Sequence, residues 1–276
     1  MNTAQGTGLR VAHSLESSAS DRLIVALDFT ALAPAVAVAR RLQGLVRVVK
    51  VGSTLFTACG PVAIQRLRLL GFEVMLDLKF LDIPSTVELS CRSAAHHRVA
   101  MLTVHASGGR AMLESAVRGV RSAALRTPSR AKSRDGARDE ASTLRTARPK
   151  VLAVTILTSD GGVRSSSMQR QVTALAREAL KAGCDGVVAS AREAGGLRRA
   201  FGRQPIIVCP GIRFAQPPSG GTRRGARDDQ RRICAPADAL ALGASALVVG
   251  RPITAARRPR DAAQQMLREM EGTTAC

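Results

Sequence analysis

Short apolar segments recur along the chain, each followed by a segment with helical spacing, and this alternation constrains the fold more than any other feature. The apolar segments lie at 23–27, 45–49, 74–76, 101–104, 151–157, 186–189, 206–209 and 246–249. The helical segments lie at 34–43, 60–70, 85–97, 110–126, 169–182, 191–201, 236–242 and 259–271. Uninterrupted apolar strands are typical of a parallel sheet covered by helices, and eight strand–helix units are typical of a closed barrel. The sequence therefore predicts an α/β protein with a single-domain (β/α)8 TIM barrel.

An open, doubly wound sheet is the competing fold for alternating strands and helices. Its dinucleotide-binding form carries G-x-G-x-x-G after the first strand, where the glycines let the backbone approach a pyrophosphate. Here the first strand runs into Asp28, and no such glycine pattern follows. The length of 276 residues also suits one barrel, for which roughly 250 residues is typical. The closed barrel is therefore favoured.

Three segments do not fit the strand–helix pattern of the predicted barrel domain, which spans 21–276. Residues 1–20 are polar and lack the apolar core of a signal peptide, so we expect a disordered leader. A basic, Ser- and Gly-containing insertion occupies about 127–149, and an extended lid loop occupies about 214–232. No apolar run approaches the roughly 18 residues that a membrane helix needs.

The chain is strongly basic, with 41 Lys and Arg against 21 Asp and Glu, a formal net charge of +20. This balance favours phosphate-bearing partners. Nucleic acid is disfavoured as the partner because Trp and Tyr are absent, and stacking on aromatic rings is the usual way of holding unpaired bases. The six cysteines form no C-x-x-C pair, which predicts reduced thiols in a cytoplasmic protein and no zinc site.

The third strand carries charge where a buried strand should have none. The stretch 74–86 reads V-M-L-D-L-K-F-L-D-I-P-S-T. Because side chains alternate along a strand, Asp77 and Lys79 should project to the same face, with Asp82 three residues further on. Pro84 ends the strand because it has no amide hydrogen to donate. Taken alone, such a pattern is more often a structural ion pair than a functional site.

Polar residues also follow the other predicted strands. They are Asp28, Lys50, Asp77, Lys79, His105, Thr158, Ser190, Arg213 and Arg251. In a (β/α)8 barrel the carboxyl ends of the strands meet at one mouth, where active sites are built. The loops after the seventh and eighth strands commonly hold a phosphate, which matches the positions of Arg213, Gly250 and Arg251. The pattern predicts a site for a small phosphorylated molecule.

Taken together, these residues resemble the orotidine 5′-phosphate decarboxylase family, in its bacterial-type branch. The matching segments run in the family's order over nearly the whole chain. They are L-D at 27–28, K-V-G at 50–52, D-L-K-F-L-D-I-P-S-T at 77–86, V-H-A-S-G-G at 104–109, L-T-S at 157–159, P-G-I-R at 210–213, D-Q-R-R at 229–232 and G-R-P-I-T at 250–254.

The resemblance implies a homodimer of barrels that decarboxylates orotidine 5′-phosphate to UMP in pyrimidine biosynthesis, with no metal or organic cofactor. By position, Lys79 would protonate C6 of the pyrimidine, and Asp77 would lie beside the substrate carboxylate. Asp82 would enter the neighbouring subunit's site and complete a charge array of Lys50, Asp77, Lys79 and Asp82. Flanking Lys79 with carboxylates would favour its protonated form.

The resemblance also implies a set of substrate-binding residues. Asp28 and Lys50 would hold the ribose hydroxyls, Thr86 would belong to the same binding segment, and Thr158 would approach the base. The phosphate would be held by Arg213, Gln230, Gly250 and Arg251, with Gln230 reaching from the lid.

Two other functions stay open at this point. A related barrel decarboxylase that acts on a sugar phosphate through an enediolate shares the D-x-K-x-x-D pattern and needs Mg²⁺. The P-G-I-R and D-Q-R-R segments speak against it. The net charge of +20 also allows a nucleic-acid-binding protein on a barrel scaffold, which salt-sensitive RNA binding would reveal.

Overall fold

The computed structural model describes residues 18–125, 148–156, 166–215 and 234–272, and within them the strands close into a barrel. The eight strands are parallel and pair in chain order, with the first strand pairing the last. The predicted (β/α)8 fold is therefore confirmed. The strands are β1 Leu23–Ala26, β2 Val48–Gly52, β3 Glu73–Phe80, β4 Met101–His105, β5 Lys150–Val154, β6 Gly186–Val188, β7 Ile206–Cys209 and β8 Ala246–Val249.

Helices cover the outside of the barrel and follow the strands in turn. They are α1 Ala19–Arg22, α2 Leu32–Leu42, α3 Ser53–Cys59, α4 Val62–Leu69, α5 Pro84–His96, α6 Gly109–Leu125, α7 Ser166–Lys181, α8 Ala191–Phe201, α9 Pro236–Ala241, α10 Arg251–Thr254 and α11 Pro259–Met270. No helix in these described ranges is long and apolar enough to cross a bilayer.

The boundaries of β2 differ from the sequence prediction in a way that matters for the site, whereas β3 includes the predicted charged residues. β2 begins at Val48 and continues through Lys50 to Gly52, rather than ending before the lysine. Lys50 keeps its place in the sheet because its backbone pairs with both neighbouring strands, opposite Ala26 and Met75. β3 runs from Glu73 to Phe80, so Asp77 and Lys79 lie within the strand as predicted, and it ends before Pro84. Charged side chains do not interrupt β2 and β3, because the hydrogen bonds between strands involve only backbone groups.

The helix predicted over 60–70 is confirmed as α4, and a short helix that the sequence did not predict, α3, precedes it. Gly60 ends α3 with a φ of 58°, a left-handed conformation that glycine adopts without a steric penalty. Pro61 then precedes α4, where its missing amide hydrogen costs nothing. At the amino terminus, α1 includes residues 19 and 20 of the predicted leader. Residues 1–17 of the leader, the insertion apart from residues 148–149, and most of the lid lie outside the described residues.

Apolar side chains alternate between two cores along each strand. The inner core lies within the barrel and contains only strand residues, among them Ile24, Val48, Met75 and Val248. The outer core lies between the sheet and the helices. Along each strand every second side chain faces into the barrel. The first inward-facing position beyond the inner core, toward the carboxyl end of the strand, is often polar. The mouth of the barrel is therefore lined by residues two steps beyond the inner core.

Candidate active site

In four strands, the residue two positions beyond an inner-core residue lies at the mouth of the barrel. Ala26 faces inward in β1, so the next inward position is Asp28. By the same step Val48 leads to Lys50, Met75 to Asp77 and Val248 to Gly250. The four mouth positions reached in this way are Asp28, Lys50, Asp77 and Gly250. The residues that sequence analysis collected at the strand ends therefore converge through ordinary strand alternation.

Asp77 is the centre of the cluster that forms there. Its Oδ2 atom accepts from two ammonium groups, Lys79 Nζ at 2.9 Å and Lys50 Nζ at 3.2 Å. Lys50 Nζ also lies 3.1 Å from Asp28 Oδ1. We call Asp28, Lys50, Asp77 and Lys79 the mouth cluster. Its charges alternate, so each buried charge has a partner of opposite sign.

Exposure differs within the mouth cluster and suggests different uses for its members. The side chains of Lys50 and Asp77 are each 11% exposed, whereas that of Lys79 is 33% exposed. Lys50 and Asp77 thus form the fixed base of the cluster. The Lys79 ammonium is the cation that a molecule entering the mouth can reach.

The two buried members hold their charges through their mutual contacts. Burial by itself lowers the pKa of Lys50, but the charges of Asp77 and Asp28 outweigh it and hold that pKa above its usual value. Burial by itself raises the pKa of Asp77, but the Lys50 and Lys79 charges, with hydrogen bonds from Lys79 and Thr103, bring it below its usual value. Both residues are therefore ionised at neutral pH.

This coupling predicts acid-sensitive stability. Because the folded-state pKa of Asp77 is depressed, its stabilising contribution is complete above about pH 4 and is lost as pH falls through the folded-state pKa. Asp77→Asn should lack that loss and should be less stable at pH 7 by about 3 kcal/mol, because Lys50 loses a buried partner. Urea unfolding of both proteins between pH 3 and 7 measures this. An unchanged pH dependence in Asp77→Asn would contradict the assignment.

Gly52 makes room for the ion pair beneath it. A Cβ atom at this position would lie 3.0 Å from both Asp28 Oδ1 and Lys50 Nζ. Any side chain would therefore push the two charged groups from their present positions. The K-V-G segment pointed to this glycine, but its packing role depends on the barrel closing and could not be read from the sequence.

Thr103 and His105 on β4 also face the mouth cluster; His105 was among the polar residues predicted at the mouth, whereas Thr103 was not. The Thr103 hydroxyl donates to Asp77 Oδ1 at 2.9 Å and accepts from the Lys79 amide at 2.9 Å. Burial, and then the Lys79 charge, lower the pKa of His105, with a smaller opposing effect from Asp77. His105 is thus neutral at pH 7 and adds no third positive charge beside Lys79.

Asp82 lies apart from the mouth cluster of this chain. Its side chain is exposed, and its Oδ1 atom accepts a hydrogen bond from the Ile83 amide at 2.7 Å. Among the described residues, no ion pair of Asp82 falls within 4.0 Å. The single chain therefore brings three members of the predicted charge array together, Lys50, Asp77 and Lys79, and not the fourth.

Three of the four predicted phosphate-binding residues, Arg213, Gly250 and Arg251, follow β7 and β8. Arg251 begins α10 directly after Gly250, and a Cβ atom on Gly250 would lie 3.8 Å from Asp28 Oδ2. Arg213 follows β7, and its amide donates to the Cys234 carbonyl at 3.1 Å. Thr86 is exposed in the first turn of α5. Thr158 and Gln230 lie outside the described residues.

Three buried cysteines lie in the described ranges, none of them in a metal-binding group. The part of the chain that the structure describes holds no group of three His, Cys, Asp or Glu side chains suited to a metal ion. Burial raises the pKa of Cys91, Cys184 and Cys209 to about 12. These thiols are neutral at pH 7 and are therefore poor nucleophiles.

A closed (β/α)8 barrel with alternating lysines and aspartates at its carboxyl-terminal mouth, and arginines after its last two strands, defines a barrel enzyme for a small anionic substrate. Comparison with known proteins is consistent with this class. Residues 21–266 match the family described as orotidine 5′-phosphate decarboxylase / HUMPS. The chain belongs to this family.

Curated relatives and a solved structure agree with that assignment. The chain is 41% identical over 261 residues to orotidine 5′-phosphate decarboxylase of Moorella thermoacetica, covering 92% of this chain and 93% of that protein. It is 43% identical over 264 residues to the protein of the same name from Syntrophotalea carbinolica, covering 91% and 96%. The crystal structure of orotidine 5′-phosphate decarboxylase from Lactobacillus acidophilus superposes with a TM-score of 0.70 at 33% identity, covering 91% and 99%.

Proposed function

We propose that this chain decarboxylates orotidine 5′-phosphate to UMP and CO2 in de novo pyrimidine biosynthesis, without a metal or organic cofactor. The observation that carries the proposal is the Lys79 ammonium, partly exposed at the mouth and held by the buried Asp77 at 2.9 Å. It lies on the D-x-K-x-x-D-I-P segment that the resemblance identified. Family membership and the names of the curated relatives support the same reaction.

The chemistry explains why a fixed ammonium is needed. Loss of CO2 leaves an electron pair at C6 in an orbital that the pyrimidine ring cannot easily delocalise. A cation held close to C6 stabilises that developing charge, and the same ammonium can deliver the proton that replaces CO2. Lys79 fills both roles in this proposal. Asp77 lies beside the substrate carboxylate and keeps Lys79 in position.

The remaining mouth residues would bind the parts of the substrate that do not react. Asp28 and Lys50 would hold the ribose hydroxyls, with Thr86 in the same binding segment and Thr158 near the base. Arg213, Gln230, Gly250 and Arg251 would hold the phosphate. Binding energy from the phosphate, far from C6, can order the site and close the lid around the reacting carbon.

We also propose that the functional unit is a homodimer in which Asp82 enters the partner's site. Three exposed apolar side chains support a dimer interface near Asp82. Leu81 and Ile83 flank Asp82 in the sequence, and Leu89 lies on α5. Exposed apolar groups gathered around a carboxylate are typical of a surface that is covered in the assembly. The dimer would work in the cytoplasm, as the absence of a C-x-x-C pair among the six cysteines predicts.

Purified protein should convert orotidine 5′-phosphate in the presence of EDTA, as followed by the change in ultraviolet absorbance. The same protein should not act on a sugar-phosphate keto acid with Mg²⁺. Activity on the sugar phosphate alone, dependent on Mg²⁺, would replace the proposal with the metal-dependent alternative. Loss of orotidine 5′-phosphate turnover in EDTA would contradict the absence of a metal requirement.

Arg251→Ala should weaken substrate binding rather than folding. A charge-assisted hydrogen bond to phosphate contributes about 1.5–3 kcal/mol, so we expect KM to rise roughly 10- to 100-fold. Arg66→Ala is the matched control, because Arg66 is exposed on α4, on the outside of the barrel. Steady-state kinetics with both variants measures the difference. Equal KM values would show that the phosphate binds elsewhere.

A further inference from the structure

We propose that Thr103 is a positioning residue for the decarboxylation, because its one hydroxyl fixes both the Asp77 carboxylate and the backbone from which Lys79 projects. This inference rests on the proposed function of Lys79 and Asp77. It assigns a role to a residue that the resemblance did not include among the site residues.

Thr103 lies in β4 on the inward-facing side, two residues after Met101, which packs against the inner core. Its side chain is fully buried, with 0% exposure. A buried hydroxyl is costly unless its hydrogen bonds are made. Thr103 makes two, one to the side chain of Asp77 and one to the backbone of Lys79.

The direction of both hydrogen bonds follows from the groups involved. The Lys79 amide can only donate, so Thr103 Oγ1 accepts from it at 2.9 Å. An ionised carboxylate can only accept, so the single hydroxyl proton of Thr103 goes to Asp77 Oδ1 at 2.9 Å. Neither bond can reverse while Asp77 is ionised. The hydroxyl therefore has one arrangement, and it links the two residues in a fixed relation.

On the Lys79 side, the hydroxyl supports an unusual backbone conformation. Lys79 has a φ of 51°, in the left-handed region that costs a non-glycine residue about 1–2 kcal/mol. The pairing of β3 with β4 shifts register between Leu76 and Phe80, so the strand is irregular where Lys79 lies. Thr103 Oγ1 supplies the acceptor for the Lys79 amide at this irregularity. This hydrogen bond fixes the Lys79 backbone, and with it the point from which the Lys79 side chain projects.

On the Asp77 side, the hydroxyl sets which oxygen faces the lysines. Oδ1 is taken by Thr103, and Oδ2 accepts from both Lys50 and Lys79. Without the hydroxyl, the carboxylate could rotate and share the two ammonium groups differently between its oxygens. A displacement of about 1 Å at a reacting group can cost roughly 100-fold in rate. Thr103 should therefore affect catalysis without touching the substrate.

Two pairs of variants test the role of the hydroxyl. Thr103→Val keeps the side-chain shape and removes the hydroxyl, whereas Thr103→Ser keeps the hydroxyl. We expect Thr103→Val to lower kcat roughly 10- to 100-fold with KM changed less than about threefold, and Thr103→Ser to stay within about threefold of wild type. If Thr103→Val does not fold, Thr103→Ala against Thr103→Ser gives the same comparison. Equal kcat values within either pair would overturn the proposal.

A control separates the loss of a hydroxyl from the loss of these particular hydrogen bonds. Thr155 is also buried, just after β5, and its hydroxyl donates to the Val188 carbonyl at 3.2 Å; among the described residues it makes no hydrogen bond to the mouth cluster. Thr155→Val should leave kcat within about threefold of wild type. A fall in kcat equal to that of Thr103→Val would mean that any buried hydroxyl in this sheet has the same effect, and would overturn the proposal.

Acid unfolding gives a readout that does not depend on turnover. The Thr103 hydrogen bond favours the ionised form of Asp77, so the stability lost in Thr103→Val should shrink as pH falls below about 4. Thr155→Val should show a deficit that does not change with pH. If wild type fails to turn over orotidine 5′-phosphate but these unfolding results hold, the proposed function fails and the Thr103 linkage stands. A pH-independent deficit in Thr103→Val would overturn the linkage itself.

Discussion

Replacing Lys79 with alanine should abolish decarboxylation of orotidine 5′-phosphate while the barrel stays folded. Loss of both the proton donor and the cation beside C6 should lower kcat by roughly 10⁴-fold or more. The fold should survive because Asp77 keeps Lys50 at 3.2 Å and the Thr103 hydroxyl at 2.9 Å as partners. Absorbance-monitored turnover and circular dichroism of the purified variant measure the two effects.

Lys181→Ala is the matched control for this experiment. Lys181 is half exposed on α7, where its only recorded ion pair among the described residues is with Glu178 at 3.8 Å. A surface pair of this kind contributes about 0–1 kcal/mol, so this variant should keep wild-type turnover. A Lys79→Ala protein with wild-type kcat would refute Lys79 as the proton donor.

Mixing two inactive variants should restore activity if the site is shared between subunits. Lys79→Ala and Asp82→Ala, each nearly inactive alone, should together regain about a quarter of wild-type activity. Half of the dimers formed at random are hybrids, and each hybrid has one site with both residues and one site with neither. Turnover measured after subunit exchange, with exchange followed by two distinguishable tags, tests this expectation.

The structure favours this complementation for Asp82 in particular. Asp82 is exposed and outside the mouth cluster of its own subunit, with its carboxylate bound to the Ile83 amide. Asp82→Ala should therefore leave the fold unchanged. If exchange is complete and no activity returns, then Asp82 does not act across the interface. As a control, mixing Lys79→Ala with Asp77→Ala should restore nothing, because both residues belong to the same subunit's site.

The barrel and the base of the site follow from local sequence rules. Apolar strands and helical spacing predicted eight strand–helix units, and strand alternation predicted that Asp77 and Lys79 share a face. Their side chains do meet, at 2.9 Å. The contact between Lys50 and Asp77 depends on the register between β2 and β3. That register is set when the barrel closes, so no single segment of the sequence contains it.

Three features of the structure were not predicted from the sequence, each for a physical reason. Lysine has no preference for the left-handed region, so the φ of 51° at Lys79 could not be foreseen. Threonine is common in strands, and Thr103 therefore looked like an ordinary β4 residue. Its one distinguishing signal was a hydroxyl at an inward position between apolar neighbours. The helix α3, Ser53–Cys59, was also not predicted, because it is short and its Thr, Phe and Cys residues have low helix propensity.

The most direct test of the central claim is to incubate wild-type protein with orotidine 5′-phosphate in D2O containing EDTA and to record the proton NMR spectrum of the product. The account predicts UMP that carries deuterium at C6, because the ammonium protons of Lys79 exchange with solvent before one is delivered to the carbon. Unchanged orotidine 5′-phosphate, or UMP with hydrogen at C6, would contradict it.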